Sequence, residues 1–216
     1  MIKLWPVLIL GSLFKLGPVQ GQDEHPFQVG LKSGINFAKF SGPNETNSKF
    51  LSAYAVGITM QQKISQRVSV DVDVLYSKQG NVVKVSTGNT ISNDIIFKYN
   101  YLSVPVYIGY SLQELPVIIK AGVQVGLLVK SQYSNPTPDA LNVIPYLKKQ
   151  DFGWLLSTGY SINKHWQAEA KYYQSFSSIL KGLNGGNPRT GTLIFNNPGN
   201  LKNQVLFFGL SYYFKK

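Results

Sequence analysis

Six charged residues form the one polar constellation in this chain with a mechanism attached to it. Lys32, Asp71, Asp73, Lys120, Glu169 and Lys171 comprise three acids and three bases, and each follows an apolar residue in a stretch that alternates apolar and polar residues. Alternation with a period of two puts the charged side chain on the opposite face of a strand from those neighbours. If the strands close into a small barrel, all six charges face one narrow interior. Charges taken from water must be paired there, so the pattern predicts a salt-bridged plug; a narrow ion pathway is the alternative.

Other chemistries lack their parts. The chain has two histidines, His25 before the first strand and His165 in a short turn, and neither is placed for a barrel-rim site with Ser or Asp. The serines have no accompanying base, so nucleophilic catalysis has no candidate. With Cys 0, thiolate chemistry, Cys-ligated metal and a disulfide scaffold are all excluded. No phosphate loop, dinucleotide fingerprint or paired metal-ligand spacing occurs. The Gly-rich segment Gly182-Leu183-Asn184-Gly185-Gly186-Asn187 follows no apolar strand into a helix and reads as a loop. The expectation is a protein that is no enzyme and takes no cofactor. The formal net charge of +11 suggests an anionic partner, but the lysines are scattered along the sequence with no run or stripe, which argues against nucleic acid.

The elements that carry the charges read as strands throughout. The first places Phe27, Val29, Leu31, Ile35 and Phe37 on one face and Gln28, Gly30, Lys32, Gly34 and Asn36 on the other. The second presents Tyr54, Val56, Ile58 and Met60; the third, Val68, Val70, Val72 and Val74; the fourth, Leu102, Val104, Val106, Ile108 and Tyr110. The fifth presents Val117, Ile119, Val123, Val125 and Leu127, with Lys120 and Gln124 opposite. The sixth carries Phe152, Trp154, Leu156 and Tyr160, the seventh Trp166, Ala168, Ala170 and Tyr172, and the last Leu206, Phe208, Leu210, Tyr212 and Phe214. No amphipathic helices accompany these apolar faces to cover them, so lipid is their expected neighbour.

The connections alternate in length. Ser65-Gln66-Arg67, Gln113-Glu114-Leu115-Pro116 and Asn163-Lys164 are short, whereas Ser131 to Gln150 and Gln174 to Asn203 are long. Short turns on one rim and long loops on the other are what a barrel crossing an outer membrane requires. The expected fold is therefore all-β, a single antiparallel up-and-down transmembrane β-barrel of about eight strands, with short periplasmic turns and long extracellular loops. Tyr110, Tyr160, Trp166 and Phe214 are expected at the short-turn rim, and Phe50, Tyr76, Tyr99, Trp154 and Tyr172 toward the loop rim, as two interfacial girdles. Pro105 lies inside a strand of a closed barrel and cannot donate to the ladder, so a bulge or bend is expected there. The segment Asn81 to Phe97 reads as a hairpin rising beyond the membrane, with Val82, Lys84, Ile91 and Ile95 as a candidate partner-binding edge by strand addition.

The start of the chain fits export. Residues 1–21 read as a cleaved signal peptide: Lys3, then an apolar run from Leu4 to Phe14 too short to span a bilayer, then Val19-Gln20-Gly21. Residues 22–216 are left as the barrel domain.

The segments Gly34-Ile35-Asn36-Phe37 with Phe40-Ser41-Gly42, Leu75-Tyr76-Ser77-Lys78-Gln79-Gly80, Tyr99-Asn100-Tyr101-Leu102-Ser103-Val104-Pro105 and Ala121-Gly122-Val123-Gln124-Val125-Gly126, in this order, resemble the PorT-type family of small outer-membrane β-barrel proteins. The final Gly209-Leu210-Ser211-Tyr212-Tyr213-Phe214 resembles the signal read by the barrel-assembly machinery, with Gly209, Tyr212 and Phe214 as its key positions, although Lys215-Lys216 follow the terminal aromatic. The resemblance implies residence in a Gram-negative cell outer membrane and, since the family's named member belongs to a protein-secretion system, an accessory role in secretion or envelope assembly. The implied partners are outer-membrane lipid and lipopolysaccharide, the barrel-assembly machinery, and a protein at the extracellular loops. A small porin-like barrel passing ions or small solutes is the competing expectation.

Overall fold

A computed structural model describes residues 27–42, 48–87, 90–112, 114–134, 148–179 and 201–214. Residues 1–21, read from the sequence as a signal peptide, lie outside the described residues, as do His25, the Gly-rich segment 182–187, Lys215-Lys216, much of the two long loops and the side chains of Lys84, Ile91 and Ile95.

Eight strands form one closed barrel in chain order, each antiparallel to its neighbours. They are β1 Phe27–Ser41, β2 Ser48–Lys63, β3 Val68–Thr87, β4 Thr90–Ser111, β5 Val117–Ser134, β6 Gln150–Ser161, β7 Trp166–Ser175 and β8 Lys202–Tyr213. Closure comes from β1 against β8, where Gly34 pairs with Gly209 and Gly30 with Tyr213. That seam has a steric cause: the Phe207 ring lies over both Gly34 and Gly209, where any Cβ would strike it. The even strand count brings both ends of the wall to the short-turn rim.

Side chains alternate as the period of two requires. Leu31, Ile35, Ile58, Ile108, Ile119, Leu156 and Phe208 are exposed on the outer wall, while Lys32, Asn36, Thr59, Asp71, Asp73, Lys120 and Glu169 are buried in the lumen. A soluble protein would place the two sets the other way round. Tyr110, Tyr160, Trp166 and Phe214 project outward at the short-turn rim, and Trp154 packs on Tyr172 at the loop rim with ring centroids 5.3 Å apart.

Tyr99 departs from the expected girdle. It is 2% exposed and points into the lumen, where it stacks on Phe40 at 5.6 Å and 3°. An aromatic near a strand end belongs to the girdle only when its parity matches the outer row, and Tyr99 has the parity of the lumen residues Tyr101 and Tyr107. Of the bulge or bend expected at Pro105, the register carries no bulge. Val72 pairs with Val106 and Leu75 with Ser103 in unchanged register, so no bulge forms; the pairs at Asp73–Pro105 and Val74–Val104 are missing instead. One absent N–H explains both, because each pair depends on a bond from residue 105 to the Asp73 carbonyl.

The short turns are held by their own side chains. Asn163 Oδ1 accepts from the backbone N–H of His165 and Trp166 at 2.8 and 2.9 Å, and Ser65 Oγ accepts from Val68 N–H at 3.1 Å. Such local acceptors are why Asn and Ser terminate strands. At the opposite rim β3 and β4 continue together past the wall, pairing Val83 with Ile95 and Thr87 with Thr90.

Candidate functional site

The site is the filled lumen. Lys32 projects inward from β1, Asp71 and Asp73 from β3, Tyr107 from β4, Lys120 from β5 and Glu169 from β7. Lys32 Nζ donates to Asp73 Oδ2 at 2.6 Å and to Glu169 Oε2 at 2.8 Å. Lys120 Nζ lies 2.6 Å from Asp71 Oδ2 and 3.8 Å from Glu169 Oε2. Five of the six charges named from the sequence thus form one chain of contacts, Asp73–Lys32–Glu169–Lys120–Asp71, across the interior. Their side chains are at most 1% exposed. Each of the five ions thus has a partner of opposite sign, which offsets much of the cost of burying it, while Asp71 Oδ1, Asp73 Oδ1 and Glu169 Oε1 are buried without a hydrogen bond.

Lys171 stands outside that chain of ion pairs. Its Nζ lies 4.9 Å from the Phe207 ring centroid, a cation–π placement one step farther from the short-turn rim.

Several participants carried no charge for the sequence to advertise. The Tyr107 hydroxyl donates to Asp73 Oδ2 at 3.0 Å, and both Lys32 and Lys120 lie over its ring, at 5.6 and 5.7 Å. Gln167 Oε1 accepts from Lys120 at 3.2 Å. Inward parity was the signal that could have found them, since Tyr107 and Gln167 alternate with outward residues as strictly as the charges do.

A second polar cluster closes the lumen toward the loop rim. Ser175 Oγ donates to Asp151 Oδ1 at 2.6 Å. Asn203 Nδ2 donates to Asp151 Oδ2 at 3.0 Å and to Gln79 Oε1 at 2.8 Å. Beside it Phe40, Phe97, Tyr99 and Tyr101 fill the bore with rings, Tyr99 and Tyr101 meeting edge to face at 5.7 Å. Asp151 is the second residue of β6, and its inward parity follows from the outward Phe152 and Trp154, a signal that the sequence already carried.

Space is left mainly at the other end. A cavity of about 140 Å³ opens at the short-turn rim between Gln28, Gln61, Lys63, Lys164, Gln167 and Tyr213. Between the ion-pair layer and the loop rim, a pocket lined by Asn36, Ser77, Gln124 and Lys171 holds only about 10 Å³. The lumen is therefore a shallow cup ending on a buried ionic layer.

The remaining positions named from the sequence have structural places. Gly209 lies under the Phe207 ring. Tyr212 packs against Trp166 at 5.0 Å and Phe214 at 5.7 Å, and Phe214 N–H donates to the Val29 carbonyl at 3.0 Å. His165 has Nδ1 2.9 Å from the Tyr213 carbonyl oxygen. Val82 is in the β3–β4 hairpin, paired with Lys49 and Ile96.

No curated protein matches the sequence. Among solved structures, the chain is similar to the attachment invasion locus protein Ail of Yersinia pestis, at 11% identity and TM-score 0.46, with 87% of this chain and 98% of that one covered. It is similar to Neisserial surface protein A at 12% identity and TM-score 0.45, covering 85% and 96%. Outer membrane protein W of E. coli gives 12% identity and TM-score 0.41, covering 89% and 100%. A family model described as outer membrane protein beta-barrel domain matches residues 20–181, three quarters of the sequence, and the chain belongs to that family.

Proposed function

We propose that this outer-membrane barrel is a non-enzymatic structural and interaction protein, exported through a cleaved signal peptide and serving as an accessory of protein secretion or envelope assembly. The observation that carries the reading is the ionic layer: Lys32, Asp71, Asp73, Lys120 and Glu169 span the bore with their side chains at most 1% exposed. An eight-strand interior is only just wide enough for its own side chains, and here those side chains are engaged with one another. A lumen used up in this way leaves work to the surfaces that project from the membrane.

The β3–β4 hairpin is the surface we assign to a protein partner, with Val82, Lys84, Ile91 and Ile95 on the strands that rise from the wall. The PorT-like order of the segments from Gly34 to Gly126 supports the accessory role, and the terminal Gly209, Tyr212 and Phe214 support recognition by the barrel-assembly machinery during insertion.

Single-channel recording of the mature protein in a planar bilayer tests the reading. The expected record shows no porin-like steps. Stable steps of porin size would replace the structural role with transport of ions or small solutes.

A further inference from the structure

Three of the lysines that look scattered along the sequence are gathered by strand register onto one rim. On the outer wall, Lys78 of β3 pairs with Asn100 of β4, which pairs with Lys130 of β5. Lys98, two residues farther from the membrane on β4, lies between Gly80 and Gln132. Strands lie about 4.8 Å apart, so the backbone positions of Lys78 and Lys130 are roughly 10 Å apart, with Lys98 at similar spacing from both. The three lysines thus stand on one patch of wall, with the Lys78 ammonium turned toward Tyr54 on the β2 side.

Two facts make this patch more than a solvated face. The first is the lack of compensation: of the carboxylates with described side chains, Asp71, Asp73, Asp151 and Glu169 are buried in the lumen and Glu114 is in the short turn at the other rim. The second is the position of the patch. Lys78 is two residues beyond the girdle residue Tyr76, and its Nζ lies 5.6 Å from the ring of the outward-facing Tyr54. The Tyr76 hydroxyl accepts from Asn100 Nδ2 at 2.6 Å, which ties the girdle to the row that carries Lys78 and Lys130. The lysines project sideways from the wall, one layer above the aromatic belt, where the neighbours are lipid headgroups.

We propose that Lys78, Lys98 and Lys130 form a docking site for the phosphate groups of a phosphorylated glycolipid in the outer leaflet. Three lysines on one patch with no described carboxylate beside them raise the local positive potential, and multivalent phosphate at headgroup level is the anion that complements it. An acidic protein segment fits less well, because it would have to enter the headgroup plane from the side. The site deepens the expected contact with lipopolysaccharide and rests on the outer-membrane placement of the barrel, not on its accessory role or on the conductance result.

Native mass spectrometry of the folded barrel in detergent, titrated with bisphosphorylated lipid A, tests the proposal. Parallel titrations use the same glycolipid after enzymatic dephosphorylation, and phosphatidylglycerol. Binding of the bisphosphorylated form is expected to be tighter than either comparison by on the order of tenfold, and to weaken as salt is raised. The variant K78Q/K98Q/K130Q should fall to the level of the dephosphorylated lipid. K63Q/K164Q, at the opposite rim, should bind like the unchanged protein. Each variant is first checked for a mobility shift between unboiled and boiled samples, and for a triple variant that fails to fold the single substitutions K98Q and K130Q replace it, each expected to weaken binding. Equal binding of the dephosphorylated glycolipid or of phosphatidylglycerol would overturn the site. So would unchanged binding by folded lysine variants, or an equal loss in K63Q/K164Q.

Discussion

Glu169 is shared between two lysines, and that unequal sharing orders the lumen charges by consequence. Glu169→Gln removes the carboxylate that Lys32 approaches at 2.8 Å and Lys120 at 3.8 Å, so two buried ammonium groups lose a partner at once. Asp71→Asn deprives only Lys120, which keeps Glu169. Glu169→Gln should therefore cost about 3 to 5 kcal/mol of folding stability and Asp71→Asn clearly less. Urea unfolding from lipid vesicles, followed by tryptophan fluorescence, checks the order; equal losses would mean that water reaches the layer and shares the work. Period two alone placed all six charges in the lumen, because a charge in an alternating apolar stretch is conspicuous. It did not announce Tyr107, Gln167 or Asn203, whose residue types are equally at home on a rim or in a loop. Nor could it say that Lys171 lies over the Phe207 ring while its neighbours pair, since that depends on heights set by register between distant strands.

Register is also where the individual strands depart from their sequence patterns. Pro105 announces a missing donor, and a bulge is the usual accommodation, yet β3 and β4 keep step across a gap of two pairs. An inserted residue would have shifted Asp73 and Val72 to opposite faces, exposing an ion to lipid, so a local loss of bonding is the cheaper defect. Pro105→Val should return the donor to the Asp73 carbonyl and stabilise the barrel by about 0.5 to 1.5 kcal/mol; a destabilised variant would show that proline geometry, not the lost bond, sets the gap. The outer face was legible residue by residue, but its depth was not. Val72 is on the lipid-facing row and only 7% exposed, between its partners Met60 and Val106, whereas Ile108 is 66% exposed and two residues from the girdle residue Tyr110. Arginine at Val72 should cost about 2 to 4 kcal/mol and arginine at Ile108 much less, because the cost of a charge falls toward the interface. Equal costs in the same unfolding assay would place the girdle at the wrong height.

For the molecule as a whole, closure is the property on which everything else depends. Each strand from β1 to β8 has a hydrogen-bonded neighbour on both sides, the last pairing being β1 with β8 from Gly30–Tyr213 to Ser41–Lys202. An open sheet of this composition would leave a row of backbone donors and acceptors in hydrocarbon, at several kcal/mol per group. Opening the wall therefore means losing a complete strand pairing at once, together with the Phe207 packing and ionic layer that cross the lumen behind it. SDS at room temperature should not supply that energy, and boiling should. The folded barrel is expected to migrate differently on a gel before and after boiling, and Gly209→Phe should abolish the difference, because a ring at Gly209 meets Phe207 and the Ser33 carbonyl at the closing seam. Val56→Phe, on the exposed outer wall, should leave the difference intact. If Gly209→Phe kept full resistance to SDS, the seam would have to tolerate a second ring, and closure would rest on backbone pairing alone without the Phe207 wedge.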